Sequence, residues 1–296
     1  MPSRSFAGAG VALVTPFTRS GDLDEAALRR LVRRQIDGGI DVLVPCGTTG
    51  ESATMRADEQ RRVIELTLQE SNGKVPVLAG TGSNDTRVAV ENSKVAAALG
   101  AQGVLCVGPY YNKPTAEGFF RHFATIADAV SIPVVVYNVP GRTGSNIDIK
   151  TTLRLASHPN ITAVKEASGN FTQIMELLRD RPSGFEVLSG DDAVTLPMMA
   201  LGGEGVISVC ANQVPRPMHD LAAACARGDF AEGRRIHNRL LRLMNLNFVE
   251  SNPIPVKASL ALLGLCEEVF RLPLCPPSDA TRQSLREALR ELELLQ

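Results

Sequence analysis

Asn160-Ile161-Thr162-Ala163-Val164-Lys165-Glu166 reads as a short apolar strand that ends in a lysine. β-branched apolar runs of this kind belong to interior strands. A lysine at the mouth of an apolar interior loses hydration, which disfavours its charged form. At the reference pKa of about 10.4, under ~0.1% of a lysine is neutral at pH 7. A pKa of ~7–8 raises that fraction to ~10–50%. The chemistry that uses such an amine is Schiff-base formation with a carbonyl. The plainer alternative is a strand-end lysine that snorkels its ammonium into water. The chain has six lysines, Lys74, Lys94, Lys113, Lys150, Lys165 and Lys257. Lys257, in Pro253-Ile254-Pro255-Val256-Lys257, reads as structural, and the remaining four sit in polar settings.

A carbonyl that forms an imine needs a proton shuttle to dehydrate the carbinolamine, and a tyrosine hydroxyl beside the amine can serve. The three tyrosines, Tyr110, Tyr111 and Tyr137, all lie at or just after the end of a strand-like apolar run. Gly47-Thr48-Thr49-Gly50 offers two hydroxyls and several backbone N–H groups in a tight turn, a cradle for a small carboxylate. Arg142, in Tyr137-Asn138-Val139-Pro140-Gly141-Arg142-Thr143-Gly144, can hold a second carboxylate bidentately. Together these residues suggest a lysine-imine enzyme for one small keto acid and a second acidic substrate. Each also has a plain structural reading: Tyr137 as a strand-end tyrosine with a satisfied hydroxyl, Thr48-Thr49 as an ordinary turn, Arg142 as a surface-loop arginine. Glu51, just after the threonine turn, reads as structural rather than as an acid.

The elements that must position these residues repeat. Apolar runs occur at Gly10–Phe17, Ile40–Val44, Val75–Gly80, Gly103–Val107, Ile132–Tyr137, Ile161–Lys165, Phe185–Ser189 and Gly205–Val209. Amphipathic stretches separate them, at Asp24–Asp37, Thr54–Glu70, Asp85–Leu99, Thr115–Val130, Asp148–Ala156, Phe171–Arg181 and Asp192–Leu201. The repeat of about 30 residues is one βαβ unit. Uniformly apolar strands point to a parallel sheet buried on both faces. Eight units predict a (β/α)8 TIM barrel over residues 1–214, with catalysis at the carboxyl ends of its strands. Residues 215–296 carry only helical patterns, at Pro217–Ala226, Asp229–Phe248, Pro253–Leu263 and Ser278–Leu295, and form a C-terminal helical region packed on the barrel. Its leucines (Leu260, Leu262, Leu263, Leu265) face the barrel, a partner subunit, or both. An open doubly wound sheet is the competing architecture, but Gly80-Thr81-Gly82-Ser83 matches neither the dinucleotide nor the P-loop pattern and reads as a barrel loop.

Composition narrows the function classes. A net charge of −1 and the absence of tryptophan give no case for nucleic acid or an anionic membrane. No apolar run reaches the ~18 residues of a membrane span. The six cysteines form no C-x-x-C pair, and the four histidines show no ligand spacing, so neither a disulfide frame nor a metal site is expected. The expected setting is a reducing cytoplasm.

Five stretches, taken in order, resemble the dihydrodipicolinate (4-hydroxy-tetrahydrodipicolinate) synthase family of pyruvate Schiff-base aldolases. They are Gly47-Thr48-Thr49-Gly50-Glu51-Ser52, Pro109-Tyr110-Tyr111-Asn112, Tyr137 to Gly144, Val164-Lys165-Glu166 and Gly203-Glu204-Gly205-Val206-Ile207-Ser208. The resemblance implies that Lys165 forms the imine with pyruvate and that Tyr137 donates and accepts protons. It implies a relay completed by Thr48 and by Tyr111, the latter reaching a neighbouring subunit's site in a homotetramer. Thr49 would hold the pyruvate carboxylate, the Ile207 carbonyl would lie near the imine, and Arg142 would bind the carboxylate of L-aspartate-4-semialdehyde. No metal or organic cofactor is implied. The activity implied is the first committed step toward diaminopimelate and lysine. N-acetylneuraminate lyase-like aldolases share the lysine and tyrosine and are the alternative, but they generally lack the arginine. Ser52, Ala53, Asn84 and Tyr110 match the family's lysine-inhibition site, whereas Ala57, Gln60 and Val88 stand where inhibited members often carry His, His and Glu. Weak or absent inhibition by lysine is therefore expected.

Overall fold

A computed structural model describes residues 5–296 of the chain. Eight strands are present: β1 (Gly8–Ala12), β2 (Val42–Val44), β3 (Leu78–Gly80), β4 (Gly103–Val107), β5 (Val134–Asn138), β6 (Ile161–Glu166), β7 (Glu186–Ser189) and β8 (Gly205–Ser208). All their pairings are parallel, in the order β2-β1-β8-β7-β6-β5-β4-β3. The remaining seam, between β2 and β3, is spanned by a Leu43–Val77 bridge and by bonds from Leu43 N to Pro76 O (2.9 Å) and Gly80 N to Pro45 O (2.9 Å). The sheet therefore closes as a TIM barrel.

The helices in chain order are α1 (Glu25–Asp37), α2 (Ala57–Ser71), α3 (Thr86–Leu99), α4 (Ala116–Ala129), α5 (Pro140–Thr143), α6 (Ile149–Ala156), α7 (Phe171–Asp180), α8 (Thr195–Ala200), α9 (Pro215–Ala226), α10 (Phe230–Leu246), α11 (Ile254–Leu262) and α12 (Asp279–Glu291). Side-chain caps set many of the starts. Asp24 accepts from Ala27 N, Thr115 from Gly118 N, and Asp148 from Thr151 N. Each such cap is worth about 1 kcal/mol.

Several boundaries differ from the sequence reading by a few residues, and four of the differences have a local cause. β1 starts at Gly8 and stops at Ala12, because the Val14 N–H is taken by the Asn212 side chain (3.1 Å) instead of a neighbouring strand. α2 begins at Ala57, not Thr54, since Glu51 adopts φ 54° and Ser52–Thr54 closes a separate 3-10 turn. Glu59 then caps the helix by accepting from Arg56 N (2.9 Å). Asp192–Leu201 is broken into a 3-10 turn, Asp192–Val194, and α8. Pro140–Thr143, expected as loop, is one helical turn opened by proline at its first position. In addition, α9 packs against β1 and β8 and completes the eighth unit, so the barrel runs past residue 214.

Strand alternation sorts the side chains into two layers. Val134, Val136 and Val164 face the surrounding helices. Val135, Tyr137, Ala163, Leu188 and Ile207 fill the barrel interior. Lys165 lies two residues beyond Ala163 on the same strand, so it points inward at the carboxyl end. α11 covers that end from above: Val256 and Leu260 pack on Val14 and Val209, which follow β1 and β8. Leu262, Leu263 and Leu265 also pack within the chain.

Candidate active site

The carboxyl ends of the strands surround a cavity of about 590 Å³. Its wall includes Thr48, Thr49, Tyr137, Arg142 and Lys165. β5 and β6 pair with Tyr137 directly opposite Lys165, and the Lys165 Nζ lies 4.2 Å from the centre of the Tyr137 ring. Both residues are buried. Burial pulls the Lys165 amine down from its ordinary value to about 8; the Asp192 carboxylate opposes the shift and the Arg142 charge adds to it. Burial pushes the Tyr137 phenol up to about 12 while Arg142 pulls it back. At neutral pH about a tenth of the amine is thus unprotonated beside a phenol that keeps its proton.

The pair is fixed from behind. Asn138 and Glu166, the next residues along the two strands, hydrogen-bond through Asn138 Nδ2 and Glu166 Oε2 (3.0 Å). Glu166 Oε1 also accepts from Ser168 N (2.6 Å), and Asn138 Oδ1 from Ile147 N (3.0 Å). Glycine at position 190 leaves room for the lysine stem. A Cβ there would lie 2.7 Å from Ala167 Cβ and 3.1 Å from Lys165 Cε. Gly80 does the same for the threonine turn, where a methyl group would run into the Cys46 carbonyl.

Arg142, on α5, is exposed and pairs with no carboxylate among the described residues; its Nη2 donates to the Asn252 carbonyl (3.2 Å). The guanidinium is therefore available at the rim to an incoming anion. Tyr111 is not brought in: the residue is 90% exposed and its backbone is left-handed at φ 71°. Ile207 lies inside the barrel on β8 and is not part of the cavity wall, whereas Val209 is. Ser52, Ala53 and Tyr110 border an adjoining cavity of about 480 Å³, with Gln60 and Val88, while Asn84 does not. The Asn84 carbonyl instead accepts from Asn112 Nδ2 (2.9 Å). Ala57 is exposed at the start of α2 and is absent from that wall.

Two participants were missed in the sequence. Asn252, in the loop before α11, donates from Nδ2 to Thr49 Oγ1 (3.1 Å) while its carbonyl takes Arg142. Nothing in its neighbours signals this, because the contact with Thr49 spans 203 positions of sequence. Asp192 is buried behind Lys165 and accepts from Val209 N (3.0 Å) and Cys210 N (2.9 Å). Burial raises its carboxyl to about 6. The Asp191-Asp192 doublet after the seventh apolar run was the available signal.

The profile of the dihydrodipicolinate synthetase family matches residues 5–292. The chain belongs to this family. It is 53% identical over 296 residues to the 4-hydroxy-tetrahydrodipicolinate synthase of Chlorobium phaeobacteroides strain BS1, covering all of both chains. The solved dihydrodipicolinate synthase of Aquifex aeolicus superposes with a TM-score of 0.96 at 46% identity, over 98% of this chain and 99% of that one. A chloride-inhibited dihydrodipicolinate synthase from Acinetobacter baumannii, solved in complex with pyruvate, gives a TM-score of 0.97 at 40% identity, over 98% and 100%. These family relatives are named as synthases, not as sugar-acid lyases.

Proposed function

We propose that Lys165 captures pyruvate as an imine and that the chain condenses it with L-aspartate-4-semialdehyde to give 4-hydroxy-tetrahydrodipicolinate. The observation that carries this reading is a buried amine, pulled down to about 8, set 4.2 Å from the ring centre of a protonated tyrosine. The neutral amine attacks the pyruvate ketone, and the carbinolamine loses water as Tyr137 passes the proton. Thr49 and the backbone of its turn hold the pyruvate carboxylate, while Thr48 joins the proton relay with Tyr137. Loss of a methyl proton gives an enamine, which attacks the aldehyde of the second substrate. The carboxylate of that substrate rests on Arg142. Its amino group then attacks the imine carbon, closing the ring and expelling the Lys165 amine. The imine is itself the electron sink, so the scheme calls on no metal or organic cofactor.

The test is borohydride reduction in the presence of pyruvate. Lys165 should gain the mass of a reduced pyruvyl adduct, at a rate that rises with pH and levels off above about 8, because only the deprotonated amine reacts. Trapping elsewhere in the chain would remove the scheme, and an adduct without turnover of the semialdehyde would leave the sugar-acid aldolase reading. Arg142→Ala should raise the KM for the semialdehyde about tenfold or more. It should also move the trapping profile to higher pH, since the Arg142 charge is one of the two effects that lower the Lys165 pKa. An unchanged semialdehyde KM would take Arg142 out of the site.

The working assembly in this reading is a homotetramer in which Tyr111 completes the relay of a neighbour. The 90% exposure of that residue supports a partner surface, and light scattering checks the number of chains. All six cysteines are free, which supports a reducing cytoplasm as the compartment. No helix among the described residues is long and apolar enough to cross a membrane. Lysine feedback through Ser52, Ala53, Asn84 and Tyr110 should be weak. Gln60 spends its amide on the Ser52 carbonyl (2.9 Å), and Val88 presents no charge. An inhibition constant below about 1 mM would overturn this.

A further inference from the structure

The turn that carries Thr48 and Thr49 belongs to the barrel but is held by the C-terminal region. Gly50 N donates to Gly47 O (3.1 Å) and Glu51 N to Thr48 O (3.0 Å), so Glu51 closes the turn through its left-handed backbone. The Glu51 carboxylate then takes Lys257 Nζ at 2.6 Å on one oxygen and the Arg271 N–H at 3.3 Å on the other. Both charged side chains of the Glu51–Lys257 pair are fully buried. Both cations stack on Phe17, whose ring centre lies 4.1 Å from Lys257 Nζ and 4.2 Å from Arg271 Cζ. Arg271 in turn forks onto Glu59 (2.8 and 2.6 Å). No part of this cluster enters the imine chemistry.

Stability alone does not account for such a pair. Removing two charges from water costs about as much as their attraction returns, and well-packed apolar residues of the same volume do as well or better. What the pair supplies that apolar residues do not is a fixed distance and direction between α11 and the closing residue of the turn. We infer that the Glu51–Lys257 ion pair is a positioning device for catalysis, through which α11 sets the height and angle of the threonine turn that receives the pyruvate carboxylate. The inference rests on the pyruvate-imine reading above. Arg142 is held by the Asn252 carbonyl just before α11 and not by Lys257, so breaking the ion pair should act first on the threonine turn.

The experiment uses the full chain with both charges removed together, as Glu51→Gln with Lys257→Met, because either single change strands a buried charge. Folding is checked by thermal unfolding. The readout is the pyruvate concentration that half-saturates borohydride trapping at Lys165. It should rise about 10- to 100-fold, the scale on which a displacement of about 1 Å is felt, while the semialdehyde KM stays within about twofold. A folded double variant with wild-type half-saturation overturns the inference, as does a parallel rise in both constants, which marks general loosening. Should the double variant not fold, Glu51→Asp keeps both charges and draws the carboxylate back by one methylene. A rise of a few-fold or more in pyruvate half-saturation supports the device, and no change overturns it. Failure of the wild-type chain to trap pyruvate is a different result, which removes the function reading itself.

Discussion

Lys165→Ala should lower kcat by more than about 10⁴-fold, the scale on which removal of a covalent nucleophile is felt. The variant should remain folded, because the change deletes a desolvated amine that burial already disfavours in its charged form. Mass spectrometry after pyruvate and borohydride should show no adduct. Lys165→Arg is the sharper companion: the charge stays, but a guanidinium cannot lose its proton in a protein and forms no imine. Substantial turnover by either variant would mean that the carbon–carbon bond is made without the covalent intermediate.

Tyr137→Phe should cost about 10²–10⁴-fold in kcat, the usual contribution of a positioned proton-transfer group. The change isolates the hydroxyl. The ring face that lies 4.2 Å from Lys165 Nζ stays in place, and so does the register that puts residue 137 opposite 165. Trapping of pyruvate should therefore still occur at Lys165 but slowly, because dehydration of the carbinolamine loses its proton source. The pH at which trapping levels off should move little, since Tyr137 is not among the groups that set the lysine's shift. If turnover fell only a few-fold, the proton would have to come from Thr48 or from water.

Much of this was readable in the chain because the same pattern recurs eight times. Apolar strands followed by helices announced the barrel, and a lysine closing the sixth run could be placed at the catalytic rim before any geometry was known. Tyr137 and Arg142 followed from their stretch. What was hidden is long-range or depends on backbone conformation. Glu51 turning left-handed, and so separating the 3-10 turn from α2, leaves no mark in a residue type that rarely adopts that conformation. Asn252 and Lys257 reach residues 49 and 51 across some 200 positions of sequence, beyond any local periodicity. The early end of β1 likewise comes from Asn212, a distant side chain that takes a backbone donor.

The four-residue turn α5 has a practical implication for redesign. It presents Arg142 at the open rim and bonds it to the rest of the protein through the Asn252 carbonyl, whereas Lys165 and Tyr137 are locked between paired strands. Choice of electrophile and generation of the nucleophile are thus written in separate parts of the chain. Libraries confined to residues 140–143 can explore new aldehyde acceptors, and those that drop the Arg142 charge should also raise the pH at which Lys165 becomes an effective nucleophile.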